Sequence, residues 1–323
     1  MKRIVYLLCM LSFWASSCSS SKKADPEPEG QNEVDYKSTY LIAIDQSQNR
    51  IARIDLKTQT IVWEWKAATG VPANHVAWFS NISEGKPVYN GKYMLITASG
   101  GGVALVRISD KATVFYCYVG GNTHSAEVLP DGNIIAASST GDILTLINVN
   151  LGTFPDNVYK KTIVMEDAHN VVWDKQRQVL WSASKNKLIA YTYNFNCKAP
   201  DLSIKESITL PASGCHDLFP VYGKDELWLS TSTKAWVIDM NTKAVIEASA
   251  LPRIKSISSG PAGYPVITLQ GIDTDKQWYN DKVQDLSGKT IFQMAGLKMY
   301  KARWELKNEF SYPANDEIKT CNQ

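Results

Sequence analysis

Three things are scarce in this sequence of 323 residues: net charge, long apolar runs and the short motifs of common enzymes. The 34 Lys and Arg residues nearly balance the 32 Asp and Glu residues, leaving a formal net charge of +2. Such a balance provides no basic surface for DNA or RNA, so we expect no nucleic-acid partner. Beyond the N-terminal segment, no apolar run approaches the length of about 18 residues that a transmembrane helix needs. The sequence contains no GxSxG, Walker A, HExxH or Rossmann glycine pattern, so none of those enzyme classes is indicated.

The N-terminus has the pattern of a secretion signal. Lys2 and Arg3 precede the short apolar run Ile4–Ala15, and small residues follow it. Ala15-Ser16-Ser17-Cys18 resembles the lipobox of bacterial lipoproteins, in which the Cys becomes the lipidated first residue. We therefore predict a signal peptide over 1–17, lipidation of Cys18 and a disordered lipidated tether over 18–38. These predictions place the protein at the bacterial cell envelope, anchored to the outer membrane by lipid alone and facing the periplasm or the cell surface. The alternative is ordinary secretion with an incidental Cys.

Four cysteines remain in the body of the chain, and none has the spacing of a metal site. They are Cys117, Cys197, Cys215 and Cys321. In an oxidising compartment they could form one or two disulfides, and buried free thiols are equally compatible with the sequence. The pairing stays open at this stage.

From Tyr40 onward, the sequence shows short runs of alternating apolar and polar residues separated by Gly, Asp, Asn, Lys and Ser. This period of two predicts β-strands, and no segment shows a helical stripe. A β-rich run recurs six times at intervals of roughly 40–50 residues, the blade length of a β-propeller. We therefore predict an all-β, six-bladed β-propeller with four-stranded blades over residues 39–323, and we expect a monomer. A pair of β-sandwiches is the alternative, but it predicts no repeat. The six runs are Leu41–Asp45, Tyr93–Ser99, Ile134–Ser139, Val179–Ser184, Leu227–Thr231 and Tyr264–Gln270.

Two parts of the repeat are irregular. The first run begins at Tyr40 with what resembles a second strand, so the first blade is expected to borrow a strand from the C-terminus. Residues Gly271–Leu297 break the pattern and predict a long insertion in the last blade, with Trp278 and Tyr279 near its tip.

The body of the chain has only four histidines, and they recur in phase with the blades. His75, His124, His169 and His216 are separated by 49, 45 and 47 residues. Each is expected just before or at the start of the first strand of a blade, the strand that lines the central channel. Counting on by one blade reaches Lys255. The sequence therefore predicts four imidazoles and an amine around one mouth of the channel.

This ring of histidines is compatible with two kinds of ligand. Three or four neutral imidazoles could hold a divalent metal, with Glu127 or Asp217 completing the shell. Without metal, His and Lys side chains suit a carbohydrate or small anionic ligand such as a sulfate, a phosphate or a uronate. Trp78 and Trp173, next to two of the histidines, offer flat faces for sugar rings. The alternative is that a repeated His is an element of blade architecture without a ligand.

Two segments resemble known propeller families. His124–Ile135, with its Leu-Pro-Asp-Gly-Asn turn, resembles the blade-opening motif of bacterial arylsulfotransferase-type propellers. The resemblance implies channel histidines, one of which carries sulfate, and His124, His169 and His216 match by position. Thr60–Trp65 resembles the outer strand of quinoprotein-like propellers. As a whole, the chain resembles uncharacterised Bacteroidetes-type lipoprotein propellers labelled surface-layer-like or quinoprotein-like. The N-terminal β-sandwich domain of the arylsulfotransferases is missing, which argues against the same activity.

Three functions follow from these observations. The first is binding of a carbohydrate or small anion at the channel mouth, without turnover. The second is an enzyme that uses the same histidines, either a metal-assisted polysaccharide lyase or hydrolase or a sulfate-transferring enzyme. The third is a scaffold for a protein partner. The in-phase histidines favour a ligand site over a scaffold.

The lipid anchor can be tested directly. Wild-type protein should fractionate with membranes, and Cys18→Ala should yield a soluble or uncleaved form, because the variant has no thiol to acylate. Immunoblots of fractionated cells measure this distribution. Wild-type protein found entirely in the soluble periplasm would contradict the prediction.

Overall fold

Six antiparallel sheets of four strands each form the computed structural model, which describes residues 36–150, 154–273 and 276–321. The first strand of each sheet contacts the first strands of both neighbouring sheets, so the sheets close into a ring. This arrangement confirms the predicted six-bladed propeller with four-stranded blades. The predicted signal peptide, Cys18 and residues 18–35 of the tether lie outside the described residues. Tyr36, within the predicted tether, packs its ring edge-on against Tyr264 and Trp304.

The first three blades follow one another along the chain, except that blade 1 takes its innermost strand from the C-terminal end. Blade 1 contains β1 Tyr40–Asp45, β2 Arg50–Asp55, β3 Thr60–Lys66 and β24 Met299–Trp304. Blade 2 contains β4 Ile82–Val88, β5 Tyr93–Ala98, β6 Gly102–Arg107 and β7 Thr113–Tyr118. Blade 3 contains β8 Thr123–Val128, β9 Ile134–Ser138, β10 Ile143–Ile147 and β11 Lys160–Val164.

The other three blades each use four consecutive strands. Blade 4 contains β12 Val172–Asp174, β13 Val179–Ser184, β14 Lys187–Tyr193 and β15 Leu202–Thr209. Blade 5 contains β16 Asp217–Pro220, β17 Glu226–Ser230, β18 Ala235–Asp239 and β19 Val245–Ser249. Blade 6 contains β20 Ile254–Ser258, β21 Ile267–Gln270, β22 Lys282–Asp285 and β23 Thr290–Gln293.

Helix is confined to short segments in the described residues. They are the α-helix α1 Ala67–Gly70 and the 3₁₀ segments Tyr36–Ser38 and Ala73–Phe79. None of the described helices is long and apolar enough to cross a bilayer.

The repeated sequence runs form the middle of each blade. The six β-rich runs form the second strands, which are mostly buried because both faces pack against neighbouring blades. Three similar segments that begin with Asp and contain Lys and Thr, at Asp55, Asp110 and Asp239, form the turns between the third and fourth strands of blades 1, 2 and 5. In all three turns the Asp side chain accepts at least one backbone N–H bond from the residues that follow it. A short polar side chain that satisfies the turn backbone explains why this pattern recurs.

The ring closes as the sequence predicts. Strand β24 pairs antiparallel with β1, with Leu41 opposite Trp304 and Ala43 opposite Ala302. The first blade is therefore completed by the C-terminal end of the chain, so separating the first blade from the last requires breaking a full strand pairing.

The predicted insertion at Gly271–Leu297 is wrong in its extent. This segment contains β22 and β23, the two outer strands of blade 6, and only the connection from Gly271 to Asp281 is extra. The strands are short and follow a long connection, so the repeat could not be recognised there. Trp278, predicted near a free tip, instead donates its indole N–H to the Oε1 atom of Gln46 in blade 1, at 2.9 Å.

The chain continues beyond β24 as a C-terminal segment (Glu305–Cys321) that crosses one face of the propeller. Its contacts reach blades 4, 2 and 3 in turn. The backbone N–H of Lys175 donates to Phe310 O at 3.3 Å, Asn90 Nδ2 donates to Asp316 at 2.9 Å, and Lys319 Nζ donates to Pro130 O at 3.0 Å. Gly132, in the Leu-Pro-Asp-Gly-Asn turn, has a φ of 91°, and a side chain there would collide with the carbonyl of Lys319. Glycine therefore lets the segment approach blade 3.

One disulfide fastens the end of this segment. Cys197, in the loop between β14 and β15, is bonded to Cys321, 124 residues further along the chain. Cys117 and Cys215 are buried free thiols, and burial raises the pKa of each to about 12. The sequence was compatible with disulfides and with buried free thiols, and the structure contains both.

Removing the disulfide should loosen the C-terminal segment. In Cys197→Ser/Cys321→Ser, proteases should cleave after Trp304 sooner than in the wild type, and thermal stability should fall. The chain-entropy model gives about 4–5 kcal/mol for a closed loop of this length, an upper limit here because the segment keeps its hydrogen bonds. Limited proteolysis with mass spectrometry measures the effect, and Cys215→Ala is the matched control. Equal protection in the double variant and the wild type would contradict the prediction.

Candidate functional site

Five side chains meet on the face of the propeller where the first strands of the blades begin, which we call the histidine face. His124, Lys255 and Tyr300 are the second residues of β8, β20 and β24. His169 and His216 lie in the loops that enter β12 and β16. We call these five residues the mouth cluster.

The imidazoles of the mouth cluster pack directly on one another. The rings of His124 and His169 are stacked with centroids 4.7 Å apart, and His169 meets His216 edge to face at 5.2 Å. His124 is only 8% exposed and Lys255 only 7%. The histidines therefore do not surround an open centre as a ring of equivalent blade positions suggests.

Hydrogen bonds connect the cluster at both ends. Tyr300 Oη lies 3.2 Å from His124 Nδ1, and Lys255 Nζ lies 3.2 Å from His216 Nε2. His169 Nδ1 lies 3.0 Å from a carboxylate oxygen of Asp167. The three imidazoles thus have polar neighbours of three different kinds: a phenol, an ammonium and a carboxylate.

A shared bulge explains why these strand residues face the channel mouth. In blade 3, Thr123 pairs with Ser138 but Ser125 pairs with Ala137, so His124 is the extra residue. The same register shift occurs at Lys255 in β20 and between Met299 and Lys301 in β24, where Tyr300 is extra. Bulges re-aim a side chain at the end of a strand.

Burial and neighbouring cations lower the basicity of the cluster. Burial removes His124 and His216 from water and is the main reason that the pKa of each lies well below the usual value of 6.5. The nearby charges of Lys301 and Lys255 and the neighbouring histidines lower both pKa values further. Burial and the charges of Lys301 and Arg253 lower the pKa of Lys255 to about 8. Burial also raises the pKa of Tyr300. At pH 7 the cluster therefore holds two neutral imidazoles, a neutral phenol and a charged ammonium.

Below the mouth cluster, charged side chains fill the channel. Arg303 forms bonds of 2.7–3.2 Å with the carboxylates of Glu84 and Asp217, and Lys301 reaches the same two carboxylates at 2.8 and 3.3 Å. We call these four residues the channel network. None of their side chains is more than 2% exposed.

A second ion pair in the channel is less well compensated. Lys86 Nζ lies 3.2 Å from one oxygen of Glu127, whose other oxygen has no hydrogen-bond partner in the described structure. Burial would raise the pKa of Glu84 too, but Arg303 and Lys301 hold it at about 2. Glu127 has mainly Lys86 to oppose burial, so its pKa rises to about 7.

His75 does not join the mouth cluster, and this part of the prediction is wrong. It lies in the 3₁₀ segment Ala73–Phe79, which precedes β4, where its ring stacks on Trp78 with centroids 3.9 Å apart. Its Nδ1 lies 3.0 Å from the hydroxyl of Tyr116 on β7, the outermost strand of blade 2. In β4 the extra residue of the bulge, equivalent to His124 in β8, is Ser83. The inserted 3₁₀ turn places His75 eight residues before it.

The two tryptophans also lie away from the mouth cluster. Trp78 packs against His75 and the tyrosine rings of blade 2. Trp173, in β12, is 2% exposed and belongs to an apolar core between blades 3 and 4. Neither ring lies at the mouth, because Trp78 shares the 3₁₀ segment of His75 and Trp173 lies within β12, four residues after the loop residue His169.

The described residues contain no group of three or more His, Cys, Asp and Glu side chains arranged to hold a metal ion. Asp217 and Glu127, predicted as additional metal ligands, are instead bound to Arg303, Lys301 and Lys86. The two carboxylates therefore cannot complete a shell around the histidines.

Sequence reasoning missed two members of the site. Tyr300 lies 45 residues beyond Lys255, so extending the count by one more blade would have found it. Asp167 has no such signal, because it lies in an irregular loop and reaches His169 through a left-handed backbone conformation with φ of 52°.

Comparisons with solved structures support the architecture alone. The chain is similar to a protein of unknown function from Bacteroides caccae, with a TM-score of 0.55 and 15% identity, covering 83% of this chain and 98% of that one. It is also similar to the β-propeller domain of Cps50 (Swd1) from Myceliophteria thermophila, with a TM-score of 0.54 and 14% identity, covering 81% and 84%. At such identities the likeness shows the fold and no function.

Two sequence comparisons complete this picture. A family model described as a family of unknown function (DUF6528) matches residues 1–321. No curated protein matches the chain.

The lowered pKa values of two histidines predict a loss of stability in mild acid. Below pH 6.5 the unfolded chain takes up protons at His124 and His216 that the folded chain does not, so the contribution of these two histidines to the free energy of unfolding should fall as the pH is lowered. Each histidine contributes at most about 1.4 kcal/mol per pH unit. Urea unfolding between pH 7 and 5 measures the slope, which should be flatter in His124→Asn/His216→Asn. An equal slope in the double variant would contradict this assignment.

Proposed function

We propose that this chain, which belongs to the family of unknown function DUF6528, binds a small oxyanion at the mouth cluster. The ligand class is a carboxylate, sulfate or phosphate group, of the kind that acidic sugars carry. The observation that carries the proposal is the pair Lys255–His216, which presents a buried positive charge without an anionic partner and a buried N–H donor without an acceptor.

The proton on His216 can be placed by elimination. A lysine ammonium has three donors and no acceptor, so His216 Nε2 must accept from Lys255. The proton of the neutral imidazole is then on Nδ1. That atom is buried and has no hydrogen-bond partner among the described residues. An unpaired buried donor costs about 1–3 kcal/mol, and an anionic oxygen would recover that loss.

The charge of Lys255 is also uncompensated. None of the ion pairs of the described residues includes it, and its charged neighbours are the cations Lys301 and Arg253. Two carboxylates in the channel, Glu84 and Asp217, are already shared by Lys301 and Arg303. A buried charge is normally paired, so an unpaired ammonium at a channel mouth favours an anionic ligand.

The same charges disfavour the metal that the four histidines suggested. A divalent cation at His216 would lie beside the ammonium groups of Lys255 and Lys301, whose repulsion is strong in a poorly solvated site. His75, the fourth expected ligand, lies against Tyr116 instead. The enzymatic alternatives, a lyase, hydrolase or sulfate transfer, stay predictions, as do the lipid anchor and the envelope location.

Anion binding should depend on Lys255 and on pH. Titration calorimetry at pH 7 should show binding of sulfate and glucuronate but not of neutral glucose. Lys255→Met should weaken binding at least about tenfold, since charge-assisted hydrogen bonds contribute about 1.5–3 kcal/mol. Affinity should also fall as the pH rises through about 8, where Lys255 loses its proton.

The matched control is Lys57→Met, which removes an exposed lysine from the turn between β2 and β3. It should leave the affinity unchanged. Equal binding by Lys255→Met and the wild type, or stoichiometric binding of Zn²⁺ to the wild type, would overturn the proposal. Loss of the buried charge should not unfold the protein, because it removes an unpaired cation.

A further inference from the structure

A separate cavity lies on the opposite face of the propeller, where the first strands end and the C-terminal segment crosses. We call it the tail cavity. Its volume is about 590 Å³, within the usual range of small-molecule pockets. One wall is formed by the ends of the first strands of blades 2, 3 and 4 and the turns that follow, and the other by Ser311–Lys319 of the C-terminal segment.

Most of the tail cavity is apolar. Val88 and Leu129 contribute aliphatic surface, and Tyr89, Trp173 and Tyr312 contribute aromatic rings. Trp173 was expected at the channel mouth for a sugar ring, but the structure places it in this wall instead. Apolar walls of this size bind a ligand by removing its hydrocarbon surface from water.

The charged residues of the tail cavity have one sign. Lys175 and Lys319 line it, and no Asp or Glu does. The ammonium of Lys175 donates to Tyr312 O at 3.3 Å and that of Lys319 to Pro130 O at 3.0 Å, so carbonyl groups are their bonded partners. Neither lysine takes part in an ion pair of the described residues. The cavity is therefore complementary to an anion at its rim.

Two hydroxyl groups in the same wall lack hydrogen bonds. Ser311 is 1% exposed, and its Oγ has no partner among the described residues. The hydroxyl of the adjacent Tyr312 is likewise buried and unpartnered. Buried hydroxyls are normally satisfied, so two neighbouring exceptions beside a cavity indicate that a bound molecule supplies the acceptor.

We propose that the tail cavity binds an apolar molecule that carries a single anionic group, such as a medium-chain carboxylate. The hydrocarbon part lies against Trp173 and Leu129, and the carboxylate meets Lys175 or Lys319 at the rim with the hydroxyls of Ser311 and Tyr312 within the wall. The disulfide Cys197–Cys321 holds the far end of that wall in place. This site is on the face opposite the mouth cluster and does not depend on it.

Calorimetry with decanoate, decanol and acetate tests the proposal on the purified protein. Decanoate should bind with a stoichiometry of one, and decanol and acetate each at least tenfold more weakly, because each lacks one half of the recognised chemistry. Lys175→Met/Lys319→Met should remove the preference for decanoate over decanol. Tyr312→Phe and Ser311→Ala should each weaken binding about fivefold, since each removes one hydrogen-bond donor.

Lys111→Met, in an exposed turn of blade 2, is the matched control and should bind decanoate like the wild type. Tyr312→Phe should fold normally because it deletes a hydroxyl that has no partner, so it keeps the test valid if the lysine double variant is unstable. The proposal is overturned if decanoate shows no saturable binding, if decanol binds equally well, or if the lysine and hydroxyl variants all retain wild-type affinity. These results are independent of sulfate binding at Lys255.

Discussion

The rest of this structure depends on one interaction, the paired hydrogen bonds of the Arg303 guanidinium with the carboxylates of Glu84 and Asp217. Arg303 belongs to the last strand of the chain, whereas Glu84 and Asp217 belong to blades 2 and 5. The same guanidinium donates to Ile257 O of blade 6 and lies over the ring of Phe219. Removing these charges from water is costly, and only the complete set of hydrogen bonds offsets that cost. The closing strand must therefore be in place before the channel charges are satisfied.

The channel network also separates the two faces of the propeller. Its four side chains, none more than 2% exposed, lie between the mouth cluster on one face and the tail cavity on the opposite face. The network nevertheless acts on the mouth cluster electrically, since Lys301 contributes to the lowered pKa values of His124, His216 and Lys255. Together with burial, the charges that close the fold thus keep the imidazoles of His124 and His216 neutral beside the ammonium of Lys255.

Two faces of one propeller then offer different chemistry. At the mouth cluster the proposed ligand is a small anion, because the buried ammonium of Lys255 has no anionic partner and the Nδ1 atom of His216 has no acceptor. At the tail cavity the walls are apolar and only the rim is cationic, which favours an amphiphile. The C-terminal segment forms one wall of the tail cavity. Gly132 leaves room for this segment beside blade 3, and the disulfide at Cys321 fastens its end.

The sequence by itself determined the number of blades, the second strands and the borrowed closing strand, because repeat spacing and two-residue alternation are local properties that every blade repeats. It also grouped four residues of the mouth cluster: His124, His169, His216 and Lys255. In the structure, each of them contacts at least one of the others. Only the tertiary structure decided that His75 leaves this group and that Asp217 and Glu127 belong to ion pairs, whereas Tyr300 continues the repeat spacing beyond Lys255. Those outcomes depend on an inserted 3₁₀ turn and on contacts between residues up to 86 positions apart, and neither of these leaves a periodic trace in the sequence.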